Sequence, residues 1–311
     1  MPALAIRTCL AAALLALQPR AGVCQAAPDT VHLLIDSGLF TGVNARDAEA
    51  AIAVWAHVIS REIPVSHALS VALAPGLEAC VEAVASGEVD VVGLSAVRYL
   101  EHRQELQADP MMVGVRGADD QATDEFVLLA PAAASGPGLA DLAGRAVVIG
   151  TVDEGSTAAM WLDVLLWTHG LPAAESHLDL RSTDKPSDAM IRVLFGGADA
   201  CVVTRRAFEA MAELNPQVRR DLQVVATSPG YLAQVACFRR GADPELRAEL
   251  IRAALALTTV PEGRQILDLF GCERPAEFAA HHLAATEALV AEHRRLSRQH
   301  GEGKGAPGRN P

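Results

Sequence analysis

One feature constrains this chain more than any other: the order strand, helix, strand, helix, strand, helix occurs twice. In the first pass "VHLLID" (31–36), "HALSVAL" (67–73) and "VDVVGL" (89–94) are strand candidates. They alternate with helical patterns at 46–60, 75–87 and 95–106. The second pass starts at "AVVIG" (146–150), with the strands "SHLDL" (176–180) and "DACVV" (199–203) to follow. Its helices are "GSTAAMWLDVLLWTH", "PSDAMIRVLFG" (186–196) and "RRAFEAMAEL" (205–214). The parallel reaches single residues. "SGEVDVVGLS" and "GGADACVVT" each place Gly three positions before Asp, then an apolar strand ending in a hydroxyl. Asp90 thereby matches Asp199, and Ser95 matches Thr204. A repeat of about 110 residues is too long for a solenoid, whose period is about 20–50. It predicts two similar α/β lobes, each a mainly parallel sheet flanked by helices.

The pattern also divides the chain. Residues 28–124 with 226–296 form lobe I, and 125–225 form lobe II, one insertion reached and left through a hinge of crossing strands. "LQVVATSPG" and "YLAQVACFRR" are the returning strands, with Ser228-Pro229 as hinge or ligand loop. Helices are expected at 243–258, 261–269 and 274–296, and residues 297–311, polar, Gly-rich and basic, as a disordered tail.

At the other end, Arg7, the apolar run "CLAAALLAL" and the small residues of "VCQAA" read as a signal peptide over 1–26. Ala21-Gly22-Val23 before Cys24 fits a lipidation box poorly, and no later apolar run approaches the roughly 20 residues that span a bilayer. A periplasmic location is expected. Losing Arg7 and Arg20 lowers the basic count from 26 to 24 against 38 acidic residues, a net −14. Such a charge argues against nucleic acid as a partner. Cys80, Cys201, Cys237 and Cys272 remain, without C-x-x-C or His pairs at metal spacing, so neither a metal nor another cofactor is expected. Their three possible disulfide connectivities stay open, and Cys80 and Cys201 also suit plain buried thiols.

The step from "AVVIG" into Gly155-Ser156-Thr157 carries the chemistry. The first N–H groups of a helix lack intrahelical partners and sit at the positive end of its dipole. Two hydroxyls there can cap the helix or donate to an anion, and Gly155 lets a ligand approach the backbone. The loop lacks G-x-x-x-x-G-K, so it is no nucleotide P-loop. Ser37, Ser95 and Thr204 end strands at the edge where open α/β sheets bind ligands. Lys185, Arg205 and Arg206 either serve an anionic ligand or are solvated.

From about 31 to 272 the chain resembles the periplasmic phosphate/phosphite/phosphonate-binding proteins of ABC transporters, a branch of the type II periplasmic binding fold. The resemblance rests on "DAEAAIAVWAHVI", "LEACVEAVASGEVDVVGLSAVRYL", "LADLAGRAVVIG", "DEGSTAAMWL", "SDAMIRVLFGGADACVVTRRAFEAMAELNPQV" and "LQVVATSP", in that order. It implies that Ser156 and Thr157 hold phosphoryl-type oxygens in the cleft. It implies a small anionic ligand, delivery to a permease or a membrane sensor, a monomer, and no catalysis. Relatives that take aminoalkylphosphonates have aromatic hydroxyls, a His and an acidic residue where this chain has Leu77, Leu94, Pro186 and Arg206. A compact oxyanion and a partly apolar cleft are therefore expected, unless a small shift brings Asp184 or Asp188 into the pocket. The alternative is an enzyme on the same scaffold, using Cys201 or Asp199 in the cleft.

Overall fold

The computed structural model describes residues 30–40, 49–50, 52, 56, 67–116, 121–132, 138–150 and 156–302. The expected signal peptide, Gly155, most of the 46–60 helix and the last nine residues lie outside them. The first part runs β1 (Thr30–Asp36), a 3-10 turn (Ser37–Phe40), β2 (Ala68–Ala74), α1 (Leu77–Ser86), β3 (Val91–Ser95), α2 (Ala96–His102) and β4 (Ala108–Val115). The middle runs β5 (Thr123–Pro131), β6 (Ala146–Gly150), α3 (Ser156–Thr168), α4 (Ala174–His177), β7 (Asp179–Thr183), α5 (Pro186–Leu194), β8 (Ala200–Thr204), α6 (Arg205–Leu214), α7 (Pro216–Asp221) and β9 (Leu222–Leu232). The last part is β10 (Gln234–Arg239), α8 (Pro244–Ala256), α9 (Pro261–Leu269), β11 (Arg274–Glu277) and α10 (His281–Glu302).

Two sheets result. One has the order β11-β4-β10-β3-β1-β2, the other β7-β6-β8-β5-β9. β1, β2 and β3 pair in parallel, as do β6, β7 and β8. Each parallel part is extended by antiparallel pairing, through β10 in the first sheet and β5 in the second. The central strands β3, β6 and β8 are β-branched and buried along nearly their whole length, as strands covered on both faces must be.

The chain passes between the sheets at two adjacent places. It leaves after β4 and enters β5 at Thr123, which lies opposite Leu232, the last residue of β9. Ala233 alone separates β9 from β10. All of β9 pairs with β5, so position 225/226 falls inside this strand. The ladder slips between Glu125 and Val127, where Ser228 and Pro229 oppose Phe126. Pro229 has no N–H to contribute, and the Ser228 hydroxyl, buried, takes the Phe126 N–H at 2.7 Å. Ser228 thus completes the strand ladder, and it does not line the cavity described below.

The C-terminal segment differs from expectation in two ways. Residues 274–277 form an edge strand on β4, where Pro275 is tolerated because an edge leaves N–H groups unpaired. The helix begins only at His281 and runs on to Glu302, into the segment expected to be disordered. Packing explains the extension: Leu296 is buried, and His300 stacks on Trp167 of α3 with ring centroids 5.3 Å apart. α10 serves both sheets. Leu283 and Val290 belong to the core against the first, Leu289 to the core against the second. The fully buried Thr286 accepts the Leu232 N–H at 2.9 Å, beside the crossing. Cys80, Cys201, Cys237 and Cys272 are free, buried thiols, so no disulfide forms among the described residues.

Candidate functional site

Helix starts from the second sheet meet the crossing strands around a cavity of about 340 Å³. Thr157 of α3, Thr204 at the end of β8 and Arg206 of α6 line one side. Arg116, after β4, and Gly271, before β11, line the side nearer the first sheet. Asp124 of β5 and Tyr231 of β9 join them. Close packing makes the arrangement possible. A Cβ on Gly150, at the end of β6, would lie 2.6 Å from the Ala189 Cβ, so only glycine lets α5 seat its first turn, with Pro186, at the cavity edge.

Thr157 is 2% exposed, and its Oγ1 has no hydrogen-bond partner among the described residues. A buried polar group left unpaired costs about 1–3 kcal/mol, so such groups are rare and point to a missing partner. Here the hydroxyl sits in the first turn of a 13-residue helix that carries no acidic side chain in that turn. Dipole and hydroxyl both favour an anion in the cavity. Thr204 adds a second donor: its Oγ1 accepts the Ala207 N–H at 3.2 Å, which leaves its own proton to give.

The charges are unequal. Arg116 Nη1 donates to Asp124 Oδ2 at 2.7 Å, and its Nε donates to the Gly271 carbonyl. Arg206 reaches Asp124 Oδ1 through Nε and Nη2, both at 3.3 Å. Two guanidinium groups thus share one carboxylate, leaving one positive charge in excess among the described residues of the cavity. Arg205 next to it is turned to Glu125 and to Thr227 Oγ1. Burial pushes the Tyr231 phenol up to about 12, so it stays neutral and adds no charge.

The remaining sequence candidates lie elsewhere. Ser37 starts the 3-10 turn after β1, and Ser95 caps α2 by accepting the Arg98 N–H at 3.2 Å. Lys185 is the residue before α5 and is exposed. None of the three lines the cavity. Ser156 is the first residue of α3, but its side chain, like all of Gly155, is outside the described residues. Leu94 and Leu77 do not supply the expected apolar part of the cleft: Leu94 is fully buried in the core of the first sheet, and Leu77 packs against that core, while the cavity's apolar lining comes from Phe126, Pro186, Ala207 and Leu232. Strand alternation turns Leu94 away from the cavity. Asp188 pairs with Arg192 one turn along α5 and is not at the cavity, nor is Asp184. Cys201 is fully buried in the second lobe's core with its thiol pushed up to about 12 by burial. Asp199 binds the Ala146 N–H at 2.9 Å, so neither residue occupies the cleft as a reactive group. Among the described residues no cluster of three or more His, Cys, Asp or Glu could hold a metal ion.

Residues 38–283 match the family model of the ABC transporter, phosphonate, periplasmic substrate-binding proteins. The chain belongs to this family. Its members are substrate-binding transport proteins, and the fold agrees with solved relatives. PhnD1 from Prochlorococcus marinus, solved with methylphosphonate, is 13% identical at a TM-score of 0.56, covering 88% of this chain and 99% of its own. A binding protein component of an ABC phosphonate transporter from Pseudomonas aeruginosa is 13% identical at 0.55, covering 89% and 99%. XAC2383 from Xanthomonas citri, solved with ATP, is 14% identical at 0.59, covering 88% and 99%. At these identities the likeness establishes a shared two-lobed fold. No curated protein matches the chain. No helix among the described residues is long and apolar enough to cross a membrane.

Proposed function

We propose that this binding protein captures a small oxyanion of the phosphate, phosphite or phosphonate kind between its lobes and delivers it, in the periplasm, to an ABC permease. The observation that carries the reading is the Thr157 hydroxyl at the start of α3, buried and without a partner among the described residues, in a residue that lines a cavity with an excess of positive charge among those residues. An oxyanion supplies the missing acceptor. It touches groups from both sides of the crossing strands, so its binding favours the closed arrangement of the lobes. Capture of this kind needs donors and a hinge, with no nucleophile or general base. A 2-aminoethylphosphonate is disfavoured: its ammonium would face Arg206, and Asp124, the one carboxylate lining the cavity among the described residues, is already shared between two guanidinium groups.

A thermal-shift screen of phosphate, phosphite, methylphosphonate, sulfate, acetate and 2-aminoethylphosphonate tests the reading. An oxyanion at a hundredfold excess over its Kd stabilises by about 2.7 kcal/mol, a shift of several degrees, and is recovered unchanged. No shift with any oxyanion contradicts the proposal. A larger shift with the amino compound contradicts its ligand class.

A further inference from the structure

Arg206 stands where local rules disfavour it. It is the second residue of α6, a helix whose first turn contains two arginines and no acid, so its charge opposes the helix dipole. Departures of this sort concentrate at functional positions. The two arginines on Asp124 are also held very differently. Arg116 is 22% exposed and anchored twice, to Asp124 and to the Gly271 carbonyl. Arg206 is 43% exposed, and both of its bonds to Asp124 are long, at 3.3 Å. Asp124 itself is 18% exposed and held firmly by Arg116.

We infer that Asp124 is an internal competitor for the ligand and thereby sets its charge class: Arg206 exchanges Asp124 for the bound anion, and only a dianionic oxyanion outcompetes the carboxylate. The inference rests on the oxyanion reading above. A monoanion offers Arg206 no more charge than Asp124 already does, so the exchange gains little. A dianion offers twice the charge and oxygens enough for Thr157 and Thr204 as well. Arg116 is the positioning residue, keeping Asp124 in place after Arg206 has left. The exchange breaks only hydrogen bonds and an ion pair.

The test uses two isosteres, methylphosphonate and methanesulfonate, at mildly alkaline pH, where the first carries two charges and the second one. Calorimetric titrations are run on the exported chain, on Asp124→Asn and on Arg206→Gln. The wild type is expected to prefer methylphosphonate by about tenfold or more, the least that one charge-assisted hydrogen bond confers. Asp124→Asn frees Arg206, so methanesulfonate binding should tighten by about tenfold and the preference should shrink. Arg206→Gln should weaken methylphosphonate most. A structural role for Asp124 would weaken both ligands together; unchanged preference in Asp124→Asn, with methylphosphonate still bound, overturns this inference alone. Absence of binding of both probes to all three proteins overturns the oxyanion reading and this inference with it.

Discussion

The β3–α2 junction of the first lobe and the β8–α6 junction of the second are made from the same parts. Asp90 and Asp199, each just before its strand, accept backbone N–H groups from the neighbouring parallel strand, His32 at 3.1 Å and Ala146 at 2.9 Å. Their own N–H groups return bonds to the same two residues, at 2.9 and 2.8 Å. Ser95 and Thr204 end the strands and cap the helices, each at 3.2 Å. The arginines that follow are used differently. Arg98 is bound at 2.5 Å to Asp36, which is 1% exposed, whereas Arg206 rests on Asp124 at 3.3 Å beside a cavity. One copy of the junction is closed by a tight internal pair. The other keeps a loosely held cation beside a cavity lined by Thr157, whose hydroxyl has no partner among the described residues, and that copy is where the proposed ligand is held.

The sharpest way to break this comparison is to remove each arginine. Arg98→Leu strands a buried carboxylate and should cost about 3–5 kcal/mol in chemical denaturation. Arg206→Leu opens a more exposed pair and should cost about 0–1 kcal/mol. Equal losses would show that the two junctions do the same work.

The caps come next. Ser95→Ala and Thr204→Ala should each lower stability by about 1 kcal/mol, since each loses one helix-capping acceptor. Only Thr204→Ala should also weaken oxyanion binding, because only Thr204 lines the cavity. Parallel losses of affinity in both variants would contradict the placement of Ser95 outside the site.

The smallest effect concerns α10, the helix both lobes share. His282 accepts the Ala279 N–H through Nδ1, at the turn into this helix. Desolvation, and then the neighbouring His281, hold its pKa below the ordinary 6.5. The unfolded chain therefore takes up the proton first. The contribution is present above about pH 6.5 and is lost as the pH falls through the lower folded value. Denaturation of the wild type and of His282→Gln across this range should give a shallower pH slope for the variant. Identical slopes would remove His282 from the account.

Much of the comparison was legible in the sequence. The twice-repeated order, and the matches Asp90 with Asp199 and Ser95 with Thr204, came from composition, period and turn residues, which act locally. The Gly-Ser-Thr step marked the start of α3 for the same reason. What escaped depends on contacts distant in the chain. The stretches that form β4 and β5 give no clear strand signal, because "ADPMMVGV" and "TDEFVLLAP" carry Pro, acids and long apolar runs without a clean period. Sequence periodicity also gives no hint that Arg116 and Asp124 meet Arg206, 82 or more positions further along the chain, or that Leu94 faces the core. The 274–296 segment read as one helix because its first residues have no strong strand signal; pairing with β4 decides them.

The central claim is that the Thr157 hydroxyl awaits an oxyanion, and calorimetric titration of the wild type and of Thr157→Val with methylphosphonate tests it most directly. Valine keeps the buried shape and removes the donor. The account predicts an affinity loss of about 1.5–3 kcal/mol, tenfold or more, with thermal stability of the free protein unchanged or raised. Equal affinity in the two folded proteins would contradict it and leave Thr157 as a packing residue of α3.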